Sequence, residues 1–277
     1  MVCQHRRGEK PSARTRLPGG QAASGAARMH AAALGVTSGA AARFPQPGRT
    51  ARLRQGGSLP SPEAVIAIAD ATLGYVAGFL PEDEPLHTAR ANAAQVGGAV
   101  PVGPVTGAAL RFMAAAIGAR SVVEIGTGCG TSGIWLLRGM RAGAVLTSVD
   151  VEPDNQRLAR SAFIAAGFGA GRYRLISGRA LEVLPRLADG AYDLVFCDAD
   201  RQEYPEYLSA ALRLLRPGGV AALHGVLAGD PAAEPDPDDD PETAALRQAC
   251  EQVRADETLA PLLLPVGSGL LAAVKLA

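Results

Sequence analysis

The stretch that decides the fold is EIGTGCGTSG, which spans Glu124–Gly133 and closes a short apolar run beginning at Ser121. Within it, Gly128, Gly130 and Gly133 have the spacing G-x-G-x-x-G, which is typical of dinucleotide-binding turns between a strand and a helix. Glycine lets the backbone turn tightly and approach a ligand, and the helix that follows offers unpaired N–H groups to an anion. The stretch therefore predicts a ligand-binding turn, with an ordinary tight turn as the alternative.

Short apolar runs alternate with helical segments around this turn. The predicted strands are Ser121–Gly126, Val145–Val149, Tyr173–Ser177, Asp193–Cys197 and Gly219–Leu223. The predicted helices between them are Thr131–Met140, Asp154–Ala166, Ala180–Leu187 and Tyr204–Leu215. Strands that alternate with helices form right-handed βαβ units and a parallel sheet, so we expect an α/β fold.

The C-terminal end follows a different pattern. Leu262–Val266 and Gly269–Lys275 read as two strands that are joined by the turn Gly267-Ser268. Strands joined by a tight turn run antiparallel, so we expect a mixed sheet with one reversed strand near its edge. Acids and prolines dominate Asp230–Glu242, which we predict to be an exposed loop.

The first part of the chain differs from the rest in composition. Residues 1–58 hold ten Lys or Arg and one acid, a net charge of +9, while the remainder carries −9. We expect 1–58 to be a disordered basic segment, with a transit peptide as the alternative and Met29 as an alternative start. We expect 59–277 to form one folded domain. Three helices are predicted at its beginning: one from Ser61, one near His87–Gln95 and one over Pro104–Ile117.

Composition excludes several classes of protein. The 277 residues are 48% hydrophobic, enough for a sizeable core, and their 27 basic and 27 acidic residues balance, unlike a basic nucleic-acid binder. No apolar run approaches the length of a membrane-spanning helix. The four cysteines are scattered without metal-ligand spacing. We therefore expect a cytoplasmic protein without nucleic-acid or membrane partners.

Asp150 follows the second strand and lies twenty residues after Gly130, where an acid can bind the hydroxyl groups of a ribose. The turn and this acid together indicate an adenosine-type cofactor. Glu124 at the end of the first strand would repel a pyrophosphate but suits a cofactor with a positive amino acid end, such as S-adenosylmethionine. The alternative, from the G-x-G-x-x-G spacing alone, is NAD.

Six segments, VVEIGTGCGTSG, LTSVDVEP, SGRALEVL, YDLVFCDAD, LLRPGGV and PVGSGLLAAVK, lie within Ser61–Leu276. Together they resemble the class I S-adenosylmethionine-dependent O-methyltransferases, in the family of catechol and caffeoyl-CoA O-methyltransferases, and most of all its actinobacterial branch. The resemblance implies a Rossmann-like methyltransferase sandwich with a seven-stranded mixed sheet, an antiparallel last strand and N-terminal cap helices. It also implies a homodimer.

By this resemblance, one set of residues binds S-adenosylmethionine. The set is Glu124, Gly126, Thr127, Gly128 and Ser132 at the methionine end, Asp150 and Val151 after strand two, Gly178, Arg179 and Ala180 at the adenine, and Asp198 near the methyl group. The family usually has Asp at the position of Arg179. A contact from the Ala180 N–H to adenine would therefore remain, whereas a carboxylate contact would not.

The acceptor end departs from the family pattern. There, an Asp matching Asp198 binds a divalent metal together with an Asp-Asn pair, which is His224-Gly225 in this chain. Because Mg²⁺ prefers oxygen ligands, we expect no tight metal site of the family kind and weak or no metal dependence. Asp200 is a further candidate ligand, and a transition metal on Asp198 and His224 is the alternative. The family's general-base lysine is replaced by Arg201, which stays protonated and is expected to hold an anionic substrate or a phenolate.

Histidine titrates near neutral pH, so His224 is the candidate general base, with Asp198 orienting it. A strand-end histidine bonded to backbone is the alternative. The sequence thus predicts a methyl transfer to a hydroxyl of a small acceptor, with catalytic residues His224, Asp198 and Arg201. The alternatives are an S-adenosylmethionine-binding protein without turnover and an NAD-dependent oxidoreductase.

Overall fold

The computed structural model describes residues 70–97, 99–228 and 240–277. The predicted basic segment and most of the predicted acidic loop lie outside the described residues, as does the beginning of the first predicted helix. The helices are α1 (Asp70–Gly78), α2 (Glu84–Val96), α3 (Pro104–Ala116), α4 (Thr131–Gly139), α5 (Pro153–Ala165), α6 (Ala180–Val183), α7 (Tyr204–Leu214) and α8 (Pro241–Ala255). The strands are β1 (Ser121–Ile125), β2 (Val145–Asp150), β3 (Tyr173–Ser177), β4 (Tyr192–Cys197), β5 (Leu215–His224), β6 (Leu259–Leu264) and β7 (Leu270–Lys275).

The strands form one seven-stranded sheet in the order β3-β2-β1-β4-β5-β7-β6. Neighbouring strands from β3 to β5 pair in parallel, whereas β7 pairs antiparallel with both β5 and β6. The predicted mixed sheet with a reversed strand near its edge is therefore confirmed. The fold belongs to the α/β class, and the last strand is antiparallel as the resemblance implies.

Helices cover both faces of the sheet because its central strands are apolar on both sides. In β1, Val122 points into a core cluster that includes Leu110 of α3 and Phe163 of α5. The next residue, Val123, points the opposite way, into a cluster that includes Leu208 of α7. Two hydrophobic layers thus hold the strands rigidly, and their carboxyl ends share one edge.

Several predicted boundaries are wrong by a few residues. Strand β5 begins at Leu215 rather than Gly219, since the chain continues through an irregularity opposite β4 in which Gly218 adopts φ +75°. The predicted strand Leu262–Val266 instead runs over Leu259–Leu264. The turn before β7 is correspondingly longer than the predicted Gly267-Ser268.

Helix α8 is absent from the sequence prediction, which placed an exposed loop as far as Glu242. The helix begins at Pro241, and the Asp240 carboxylate accepts hydrogen bonds from the N–H groups of Glu242 and Thr243. An acidic N-cap followed by proline is a favourable helix start. The end of the predicted loop is therefore wrong, because the acids nearest α8 cap the helix and form its first turn.

Within the described ranges, none of the helices is long and apolar enough to cross a membrane.

Candidate functional site

A cavity of about 750 Å³ opens at the carboxyl ends of β1, β2, β3 and β4. The glycine-rich turn forms its floor, and the segment between α2 and α3 and the beginning of α7 form its walls. Ligands of parallel α/β sheets bind at this edge. The cavity is therefore where the predicted site residues are expected to meet.

The glycines of the turn serve two different purposes. Gly126 has φ +94°, and a side chain there would collide with the carbonyl oxygen of Asp198, so its small size lets the ends of β1 and β4 approach each other. Gly128 borders the cavity and has open space beside it. In contrast, side chains at Gly130 and Gly133 would press against Phe163 of α5. The G-x-G-x-x-G spacing thus reflects both ligand access and helix packing.

Asp150 lies on the cavity, at the end of β2, with its carboxylate fixed by backbone donors. Its Oδ2 accepts a hydrogen bond from the Gly128 N–H at 2.8 Å, and its Oδ1 accepts one from the Glu152 N–H at 2.8 Å. Each carboxylate oxygen has a second lone pair. The acid is therefore held against the glycine turn while keeping acceptor capacity for a ligand hydroxyl.

Glu124 does not line the cavity but is fully buried beneath it. Its carboxylate accepts hydrogen bonds from the hydroxyls of Ser132 at 2.6 Å and Ser148 at 2.5 Å. Burial raises the pKa of Glu124 to about 7, and the nearby charges of Asp198 and Asp150 add to this rise, although the two hydroxyls oppose it. An acid that changes charge near neutral pH thus lies directly under the turn, linked to the cavity through Ser132.

Gly178, Arg179, Ala180 and Val151 line the opposite side of the cavity. The Arg179 guanidinium donates to Glu203 at 2.8 Å, and the other Glu203 oxygen accepts from the Tyr207 hydroxyl at 2.7 Å. Burial, followed by the contact with Glu203, raises the pKa of Tyr207, which keeps this phenol a donor. Arg179 is thus an anchored cation at the position of the family's carboxylate.

Asp198 borders the cavity at the end of β4, and its Oδ1 lies 3.0 Å from Nδ1 of His224 at the end of β5. The predicted pairing of these side chains is therefore present. His224, however, is only 7% exposed and is not among the described residues that line the cavity. Its Nε2 lies 3.4 Å from the Ser268 hydroxyl in the turn before β7. Asp198 thus faces the cavity, whereas His224 contacts the Asp198 carboxylate without lining the cavity.

Arg201 is also not among the described lining residues. One guanidinium nitrogen donates to Glu242 of α8 at 2.5 Å, and the rest of the group lies against Gly225. The prediction that Arg201 holds a substrate therefore has no support from its position. The sequence reading missed this contact because it contained no helix α8.

The acceptor end does not fit the divalent metal that the resemblance implies. The described residues contain no cluster of three or more His, Cys, Asp or Glu side chains that could hold a metal ion. His224 is bonded to Asp198, and an arginine fills the space beside Gly225. A cation placed here would lie beside the Arg201 guanidinium, where the family pattern has a further oxygen ligand.

Other lining residues were missed by the sequence reading. Glu203, Tyr207 and Asp200 come from the short segment that follows Asp198, and Val100 and Val102 come from the link between α2 and α3. Tyr204, although it does not line the cavity, donates its hydroxyl to the carbonyl oxygen of His224 at 2.7 Å. The glycines and proline around 97–103 indicate a turn, but no sequence signal places that turn over the sheet edge.

Comparison with known proteins gives consistent matches over this domain. A family model described as O-methyltransferase matches residues 83–276. A protein of Mycolicibacterium vanbaalenii whose assigned name is that of an O-methyltransferase is 47% identical over 218 residues, covering 77% of this chain and 94% of the relative.

Solved structures agree with this match. The O-methyltransferase TomG from Streptomyces achromogenes, in complex with SAM, is 29% identical, with a TM-score of 0.67, and the match covers 76% of this chain and 97% of TomG. An O-methyltransferase from Bacillus cereus in complex with SAH is also 29% identical, with a TM-score of 0.67, and the match covers 75% of this chain and 98% of that one.

Proposed function

Because the chain belongs to the O-methyltransferase family, we propose that it transfers the methyl group of S-adenosylmethionine to a hydroxyl of a small acceptor. The observation that carries this proposal is the single cavity that joins the glycine turn, Asp150 and Asp198. Its volume of about 750 Å³ is in the range of small-molecule sites. The complexes of TomG with SAM and of the Bacillus cereus enzyme with SAH support the choice of cofactor.

In this proposal, each part of the cofactor contacts a protein group of complementary charge or polarity. The carboxylate binds at the N-terminus of α4, where the Thr131 hydroxyl is buried without a hydrogen-bond partner among the described residues. Glu124 balances the positive ammonium and sulfonium through Ser132. The ribose hydroxyls donate to Asp150, and the adenine lies against Gly178, Arg179 and Ala180, with Thr127 and Val151 completing the walls.

In the reaction, the acceptor oxygen attacks the methyl carbon, the carbon–sulfur bond breaks, and the hydroxyl proton leaves. Alignment of the oxygen, methyl group and sulfur supplies much of the rate. Asp198 lies on the cavity beside His224, so in this proposal the Asp198–His224 pair takes up the proton, with Asp198 in contact with the acceptor. No divalent metal takes part, because the side chains at this end do not fit one.

Binding without turnover is the second candidate function. It is favoured by the burial of His224 and by the ion pair of Arg201 with Glu242, since neither side chain reaches the acceptor space. NAD as the cofactor has less support, because the Glu124 carboxylate lies beneath the turn where a pyrophosphate would bind.

A methyl-transfer screen tests the proposal. The purified protein is incubated with S-adenosylmethionine and a panel of phenols and other hydroxylated compounds, and mass spectrometry detects products heavier by one methylene. Calorimetry with S-adenosylhomocysteine and NAD runs in parallel. Methylated product supports transfer, binding of S-adenosylhomocysteine without any product supports the second candidate, and binding of NAD alone overturns both.

We further propose a cytoplasmic homodimer without nucleic-acid or membrane partners. Exposed aromatic residues on α1, directly after it and on α3 support a self-association face, since Tyr75 is 69%, Phe79 68% and Phe112 72% exposed. Exposed apolar patches often mark protein interfaces. A second copy is the proposed occupant because paired copies would cover this face by the commonest closed symmetry.

A further inference from the structure

The space beside Gly225, at the end of β5, is filled by the side chain of Arg201. A Cβ atom at position 225 would lie 2.8 Å from Nε, 2.9 Å from Nη2 and 3.1 Å from Cζ of Arg201. The guanidinium thus fills the space that a side chain at position 225 would enter, and the φ angle of +80° at Gly225 favours glycine. The arginine and the glycine thus form a matched pair.

Helix α8 fixes the guanidinium from the other side. Glu242, in the first turn of α8, accepts from Arg201 Nη1 at 2.5 Å, and Asp240 caps the same turn. The Arg201 side chain is 30% exposed, so most of it packs between α8 and the end of β5. A rigid planar cation therefore occupies the space next to the ends of β4 and β5.

Its charge is balanced by carboxylates on two sides. Burial disfavours the charged form of Arg201, but the hydrogen bond and charge of Glu242, with smaller contributions from Tyr204 and Asp198, outweigh burial and raise its pKa above the usual value. Arg201 therefore stays positively charged, and its charge attracts the carboxylate of Asp198.

We propose that the Arg201 guanidinium, held by Glu242 over Gly225, is a built-in cation that replaces the divalent metal at the acceptor end. This rests on the proposed function and deepens it. Arg201 acts as a positioning residue: it offsets the negative charge of Asp198 and keeps metal ions out. A guanidinium is not a Lewis acid that two adjacent hydroxyls can chelate, so the favoured acceptors carry a single isolated hydroxyl instead of a catechol pair.

The test measures Mn²⁺ binding by calorimetry and electron paramagnetic resonance, which require neither acceptor nor turnover. The wild-type protein should show no site that depends on Asp198. Arg201→Ala removes the cation and leaves two carboxylates uncompensated, so it should gain a Mn²⁺ site that Asp198→Asn abolishes. Arg201→Lys keeps the charge and should not gain the site. The control Arg254→Ala breaks an exposed ion pair with Glu251 within α8, and should show the same Mn²⁺ binding as the wild type.

A second comparison restores oxygen ligands. His224→Asp with Gly225→Asn is prepared with Arg201 retained and with Arg201→Ala, and binding of S-adenosylhomocysteine checks that each variant is folded. Mn²⁺ should bind at least about tenfold tighter when Arg201 is absent, which corresponds to about 1.4 kcal/mol. Equal affinity in the two backgrounds, or an Asp198-dependent Mn²⁺ site in the wild type, would overturn the proposal. Failure to methylate any acceptor would overturn the proposed function and leave the metal result intact.

Discussion

Replacing Glu124 by glutamine should change how the stability of the protein depends on pH. The pKa of this buried carboxyl is raised from 4.5 to about 7, so the folded state favours its neutral form. The stabilisation is therefore fully present below about pH 4.5 and is lost as the pH rises through about 7. With about 1.4 kcal/mol for each pKa unit, the lost stability amounts to about 3 kcal/mol. Glutamine stays neutral, and Ser132 and Ser148 can still bond to it, so Glu124→Gln escapes this loss.

Urea unfolding at several pH values, followed by circular dichroism, measures the effect. The free energy of unfolding of Glu124→Gln, relative to wild type, should become more favourable by about 3 kcal/mol between a pH below 4.5 and a pH above about 7. Glu251→Gln, at an exposed position on α8, is the control and should run parallel to wild type. If Glu124→Gln also runs parallel, Glu124 does not titrate near neutrality in the folded state, and the argument from burial fails.

The same residue should link pH to cofactor binding. The ammonium group of S-adenosylhomocysteine favours an ionised Glu124, so wild-type affinity should rise by about tenfold or more as the pH increases through about 7. Glu124→Gln should bind more weakly above neutrality and show a flat profile. A wild-type profile that is flat in calorimetry would mean that the positive end of the cofactor lies elsewhere.

Five further outcomes are expected. Asp150→Ala should weaken binding of S-adenosylhomocysteine by about 1.5–3 kcal/mol in calorimetry, and unchanged affinity would remove Asp150 from the ribose site. His224→Ala should lower turnover by about a hundredfold by displacing Asp198, with cofactor affinity unchanged. Turnover of the wild-type protein should persist in excess EDTA. Full inhibition by EDTA that magnesium rescues would contradict a reaction without a metal. Deleting 1–57 should leave the melting temperature unchanged, whereas loss of folding would show that the segment docks. Phe79→Glu should shift the mass from light scattering from dimer to monomer, and a monomeric wild type would refute the dimer.

The sequence predicts most of the fold because its signals are local and repeated. The short apolar runs of the strands and the helical spacing between them predict the order of elements from β1 to α7. The hairpin at the end predicts the reversed strand. Because the carboxyl ends of parallel strands share one edge, the positions of Asp150 and Asp198 near the glycine turn also follow from the sequence alone.

The direction of individual side chains, in contrast, could not be predicted from the sequence. Position 224 ends β5 beside Asp198, as predicted, but the His224 ring is buried, lies between Asp198 and Ser268 and does not line the cavity. The glycine spacing likewise does not reveal that Gly133 is small because of Phe163, which comes from a helix about thirty residues later. Contacts between distant segments decide these cases.

The position of Arg201 shows how one missed element changes the chemistry assigned to a site. Without α8, an arginine three residues after Asp198 has no partner in sequence, and a substrate anion is the natural partner to infer. The capped turn Asp240–Thr243 supplies Glu242 instead, and Gly225 supplies the space. Glycine at 225 therefore signals more than a missing metal ligand. The Arg201 guanidinium occupies the space beside it, so substitutions at 201 and 225 are expected to affect each other.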